Sequence, residues 1–206
     1  MCIRDSSYGL ATAAPAAPAL RNVTRRAASV RRVYQIDNKD RVRELGDVPQ
    51  SDVGAPLPVV VADEHTVMLA YHSSAKPTLE ELAEIDSPRV VDAKSEGTIV
   101  IVSFVGAYAS FLGPPNDEAF DGHPLADRGL HPYGAFEVEC SSWIREAERR
   151  NRVHPFHRAE EFDTLHHFIF AFHDTTFEAL ADQFDLRVMV GSITTALHEM
   201  ATRLAN

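Results

Sequence analysis

The seventeen residues 165–181, LHHFIFAFHDTTFEALA, constrain the fold more than any other stretch of the chain. Alternation at a period of two sets Phe168, Phe170 and Phe172 on one face and His167, Ile169, Ala171 and His173 on the other, which is the pattern of a strand with one buried side. Asp174-Thr175 interrupts it as a turn. Beyond the turn Phe177 joins the phenylalanine face, and Thr176, Glu178 and Asp182 join the histidine face. A tight turn places Glu178 opposite Ala171 and diagonal to His173, within side-chain reach. Such a pair is a carboxylate-oriented imidazole, suited to general-base work or to holding a metal-ligating tautomer. A solvated sheet face carrying one ion pair is the competing reading of the same residues.

Shorter signals surround this segment. Residues 57–62 and 66–72 read as a hairpin across Asp63-Glu64-His65, with Pro56 and Pro58 placing the first strand at a sheet edge. Pro77 opens a short expected helix with Leu79, Leu82 and Ile85 on one side. Residues 89–93 and 98–105 suggest a second hairpin, the latter apolar on both faces and so central. Residues 135–139 alternate as a strand. Ser141 or Ser142 can cap a helix over 143–153, where Glu146/Arg150 and Glu148/Arg152 have the favourable i, i+4 spacing. Residues 186–190 form a further strand, and Ser192 caps a final helix with a stripe of Ile193, Ala196, Leu197, Met200, Ala201 and Leu204. Consecutive strands with late helices predict an α+β fold, a largely antiparallel sheet with a helix after the fifth or sixth strand and a C-terminal helix packed on it.

The first 32 residues stand apart. MCIRDS resembles a translated sequencing-adaptor fragment, and the Ala-, Pro- and Arg-rich run after it has no sustained hydrophobic period. Residues 1–32 are expected to be a disordered or non-native tail, or else a transit sequence, and residues 33–206 a single α+β domain. Charge divides similarly. Residues 1–46 hold nine basic and four acidic residues, leaving eleven basic against twenty-six acidic in the remainder. An acidic body repels a phosphate backbone, so nucleic acid is not an expected partner. No window reaches the roughly 18 apolar residues of a membrane span, and two cysteines, Cys2 and Cys140, cannot build a disulfide framework. A soluble, cytoplasmic protein is the expectation, with Cys140 a buried thiol on the apolar face of its strand.

Chemistry concentrates in two places. Seven of the ten histidines lie between His123 and His173. The 22-residue stretch 113–134, GPPNDEAFDGHPLADRGLHPYG, is too rich in Gly and Pro for helix or strand, and carries Asn116, Asp117, Glu118, Asp121, His123, Asp127 and His131. Loops of this length in a compact domain are functional or disordered. If the loop meets the histidine face of 165–182, then His173 is the imidazole, Glu178 orients it, and His123 or Asp121 approaches to complete an acid–base site; with His123, His131 and His173 as ligands the site holds a divalent metal. Adjacent His166 and His167 point to opposite faces of a strand and cannot share a metal, and Pro155 spoils the spacing of His154 and His157. Motifs for dinucleotides, nucleotides, zinc proteases and serine hydrolases are missing. Two functions follow: a His/carboxylate-lined pocket for a small polar ligand or a metal-assisted or acid–base reaction, or a non-catalytic acidic module of the inhibitor or adaptor type that binds a protein partner.

Overall fold

A computed structural model describes residues 34–74 and 91–205. The strands are β1 (Arg41–Glu44), β2 (Val59–Ala62), β3 (Val67–His72), β4 (Gly97–Val105), β5 (Ala109–Gly113), β6 (Ala135–Glu139), β7 (His166–Ala171), β8 (Thr176–Ala181) and β9 (Gln183–Gly191). Helix α1 (Ser142–Asn151) follows β6 and α2 (Ile193–Leu204) closes the fold. All ladders are antiparallel, and they build two sheets, one in the order β1-β6-β7-β8-β5 and the other β2-β3-β4-β9. The fold is α+β with strands dominating, as the pattern of short strands and late helices predicts.

The inner faces of the two sheets make the main core. Phe168, Phe170, Phe172 and Phe177 from one sheet meet Leu69, Tyr71, Val102 and Phe104 from the other, each almost fully buried. Phe104 sits at the centre, its ring 5.3 to 6.3 Å from those of Phe168, Phe170, Phe177 and Phe184. Each such aromatic removes a large apolar area from water, which drives the assembly. On the outer face of the second sheet, Met68, Ala70, Ile99 and Ile101 receive Ile193, Ala196 and Met200 of α2, the stripe visible in the sequence. Ser192 caps that helix by accepting from the Thr195 N–H at 3.2 Å. The outer face of the first sheet is covered by α1 and by the long loop.

One ribbon runs through both sheets. β4 pairs with β9 and β5 with β8, so the strand pair passes from one sheet to the other at a corner formed by residues 106–108 and Asp182. Hydrogen bonds from Asp182 N to Val105 O (2.9 Å) and from Tyr108 N to Leu180 O (2.8 Å) carry the ladder round the bend. Gly106 has φ +63°, and a Cβ there would lie 2.1 Å from the Asp182 carboxylate, so only glycine fits this corner.

Several expectations need correction. The strand expected at 89–93 has its first two residues outside the described residues, and residues 91–93 are coil and turn; β4 pairs instead with β3 and β9. The helix expected after Pro77 lies outside the described residues. Cys140 is exposed, with φ 52°, because β6 ends at Glu139 and the chain turns there into the cap of α1. Strands β1 and β5 carry no clear signal: RVRE is charged, and ASFLG is short and borders the Pro-rich loop.

Candidate functional site

The β7–β8 hairpin sets the geometry. Phe172 N donates to Thr175 O at 2.9 Å, closing a four-residue connection, and this places Glu178 opposite Ile169 and Ala171 opposite Thr176. The turn expected from the sequence, at Asp174-Thr175, lies one residue further along, and that displacement shifts the pairing by two residues. A shift of two keeps every side chain on its face but changes its neighbour, so Glu178 meets His167 and not His173.

The long loop is ordered by burial of its own apolar residues. Phe120, Leu125 and Leu130 pack on Phe136, Val138, Ile169 and Ala171 of the first sheet. Two 3-10 turns, Phe120–Gly122 and Ala126–Arg128, separate them and point His123 inward. Its ring reaches Glu178, Nε2 to Oε1 3.4 Å. His167 Nε2 lies 2.9 Å from Glu178 Oε2, and the Tyr34 hydroxyl donates to the same oxygen at 2.6 Å. The rings of Tyr34 and Trp143 stack on one another and meet His167 edge-on at 5.2 and 5.1 Å.

Hydrogen bonding assigns the tautomers. Ser141 Oγ accepts from Trp143 N and Ile144 N as the cap of α1, so its proton goes to His167 Nδ1 at 2.9 Å. Leu125 N donates to His123 Nδ1 at 3.1 Å. Both rings therefore carry their proton on Nε2 and donate it to Glu178. Burial pushes the Glu178 carboxyl up, but the hydrogen bonds from His123 and His167 outweigh it and hold the group at about 2. Burial, with the Glu178 charge beside it, pushes Tyr34 well above the usual tyrosine range. Relative exposures of 1 % for the His123 side chain, 0 % for His167 and 8 % for Glu178 keep solvent from the imidazole nitrogens. The network joins β7, β8, the long loop, the start of α1 and the segment before β1, and its chemistry is that of a polar clasp.

A second, wet cluster lies at the other end of the same hairpin. His173, 40 % exposed at the side chain, has Nδ1 3.0 Å from Asp174 Oδ1 and Nε2 3.9 Å from Asp117 Oδ2. Tyr133 donates its hydroxyl to Asp117, and its ring centroid is 6.4 Å from that of His173. The loop is fixed to the hairpin here by Asp117 N to His173 O, 2.9 Å, and by Thr176 Oγ1 to Pro115 O, 3.0 Å. The Asp174 hydrogen bond, with the negative charge of Asp117, raises the His173 pKa; the Tyr133 hydrogen bond holds Asp117 below the usual carboxylate range; and the same bond pushes Tyr133 up to about 12. Tyr133 holds φ 62°, a left-handed backbone that non-glycine residues rarely adopt and that recurs at functional sites. Beside it a cavity of about 210 Å3 opens, lined by Ser51, Tyr71, Tyr133, Phe170 and Phe172 among others.

Of the residues singled out by sequence, Glu178 and His123 come together, while His173 joins the loop through Asp117. Asp121 is exposed in its 3-10 turn and stays apart from Glu178's ligand shell. The trio His123, His131 and His173 is not assembled: His131 faces Glu44 at 3.6 Å, and the other two belong to different clusters. Among the described residues no group of three or more His, Cys, Asp or Glu is disposed to hold a metal. The physical reason at Glu178 is that both imidazole lone pairs are spent on Leu125 N and Ser141. His166 points away from His167, to Glu137 at 2.6 Å, and His157 is held by Glu148 and Asn151. Sequence reasoning missed Tyr34, the role of His167 and the bond from Ser141 to it; the period-two pattern did put His167 and Glu178 on one face, and only the register concealed the contact. No helix among the described residues is long and apolar enough to cross a membrane. No family model, no curated protein and no solved structure matches the chain.

Proposed function

We propose that the protein binds a small polar ligand in the cavity lined by Tyr133, with Asp117 and His173 beside that tyrosine. The observation that carries this reading is Ser51. It lines the cavity, is 5 % exposed, and its hydroxyl has no hydrogen-bond partner among the described residues. A buried hydroxyl left unpaired costs free energy, and a ligand that bonds to it recovers that cost. Tyr71, Phe170 and Phe172 supply an apolar wall, and one or two placed polar groups against such a wall are the usual composition of a small-molecule site. At about 210 Å3 the cavity is smaller than the roughly 300–1,000 Å3 of most ligand pockets, so the ligand is compact. Its polar group faces Ser51, and the carboxylates of Asp117 and Asp174 around His173 favour a hydrogen-bond donor or a cation on that side.

Amide-detected NMR titration with a set of small polar fragments tests the proposal. Expected are shifts at Ser51, Tyr133, Gly134 and Ala171, and their loss in Ser51→Ala, which removes the hydroxyl without adding bulk. Fragments that bind elsewhere, or bind Ser51→Ala equally well, overturn it. In that event the acidic protein-interaction reading takes its place.

A further inference from the structure

Strand β9 ends the order β2-β3-β4-β9 and so, among the described residues, has a strand neighbour on one side only. It pairs with β4 one-to-one from Gly97↔Gly191 to Val105↔Gln183, with no bulge to bend the edge away. The core stripe of α2 packs on Met68, Ala70, Ile99 and Ile101 of β3 and β4. Val188 and Val190 on β9 are 54 % and 84 % exposed. A long, regular edge is a template for another strand, and folds guard such edges with Pro, charged side chains, bulges or short length. QFDLRVMVG has neither Pro nor bulge, is nine residues long, and holds two charges of opposite sign.

Its two charges are arranged for a particular partner. Asp185 and Arg187 flank Leu186 on one face of the strand, and Arg187 is also bonded to Glu199 of α2. We propose that β9 pairs antiparallel with β9 of a second copy, centred on Leu186, so that two four-stranded sheets become one of eight strands. In this register Asp185 stands opposite the partner's Arg187, and Arg187 opposite the partner's Asp185. On the other face Phe184 stands opposite the partner's Val188. Directly opposed unlike charges stabilise a strand pair and like charges destabilise it. Centring the pair on Arg187 or on Asp185 instead would bring two like charges together, so the sequence of the edge itself favours Leu186.

Sedimentation equilibrium over a range of protein concentrations, at fixed ionic strength, tests this on the full chain. The wild type is expected to dimerise with rising concentration. Asp185→Arg alone and Arg187→Asp alone each set like charges against each other in a homodimer, and each is expected to weaken association by roughly tenfold or more. Mixed in equal amounts, the two variants have complementary edges, and dimer returns. Thermal melts check that both variants fold; should Arg187→Asp fail because it now faces Glu199, Val188→Lys takes its place and is expected to be monomeric. A wild type that stays monomeric overturns the proposal. So do single variants that associate like the wild type, or a mixture that stays monomeric where the wild type dimerises.

Discussion

His167 and His173 belong to the same hairpin, and the same long loop contributes a residue to the cluster around each, yet the two clusters behave as opposites. Around His167 every nitrogen and oxygen is committed to protein partners: Ser141 fixes one ring nitrogen, Glu178 takes the proton of the other, and Tyr34 and His123 complete the carboxylate. Around His173 the imidazole is open to water, and its partners Asp117 and Asp174 are carboxylates on the surface side. The difference teaches that a His/carboxylate pair is not by itself a site. Burial decides whether its free energy goes into holding segments together or stays available for a ligand.

If the Glu178 cluster is a clasp, breaking it should cost stability and breaking the His173 cluster should not. Glu178→Ala strands three buried donors and is expected to cost about 3–5 kcal/mol, comparable to removing a core aromatic such as Phe170; denaturant unfolding measures it, and a loss well under 1 kcal/mol would mean that the cluster carries no structural load. Acid is the next lever. The folded-state pKa of Glu178 is depressed to about 2 from an ordinary 4.5, so its contribution is full above pH 4.5 and is lost as pH falls towards 2, amounting to roughly 3 kcal/mol. Stability measured against pH in Glu178→Gln should lack that acid limb. Tyr34→Phe removes one donor to the carboxylate and is expected to cost about 1–3 kcal/mol, without the acid limb disappearing.

The smallest effects belong to the His173 cluster. Asp174→Asn should leave the melting temperature nearly unchanged while lowering the His173 titration midpoint towards the ordinary histidine value, followed by imidazole NMR signals. Because the folded pKa of His173 is raised, whatever it adds to stability is present below the ordinary histidine pKa and fades as pH rises through the folded value. A His173 midpoint unaffected by Asp174→Asn would break the contrast between the two clusters.

The alternating phenylalanines were legible because a period of two leaves one choice of buried face, and Phe168, Phe170 and Phe172 all lie in the main core. The caps at Ser141 and Ser192 were legible because capping is local chemistry. Register was not. It depends on where one four-residue turn closes, and the choice between Ala171 and Ile169 as the neighbour of Glu178 leaves the hydrophobic pattern unchanged. Tyr34 was out of reach for another reason. Its partner lies far along the chain, and nothing local to YQID distinguishes a clasp residue from a polar loop.

The corner at Gly106 also has a kinetic consequence. Gly97 must find Gly191 and Gly113 must find Thr176 before the ribbon exists, and the long loop, β6, α1 and β7 lie between its two halves. The closure entropy is spent before any ladder bond repays it, which places folding in the slow regime of non-local β topologies, on the order of milliseconds to seconds. Once closed, the bent ribbon belongs to both sheets, so neither can peel away while the other stays whole, and the two halves of the sandwich should melt together.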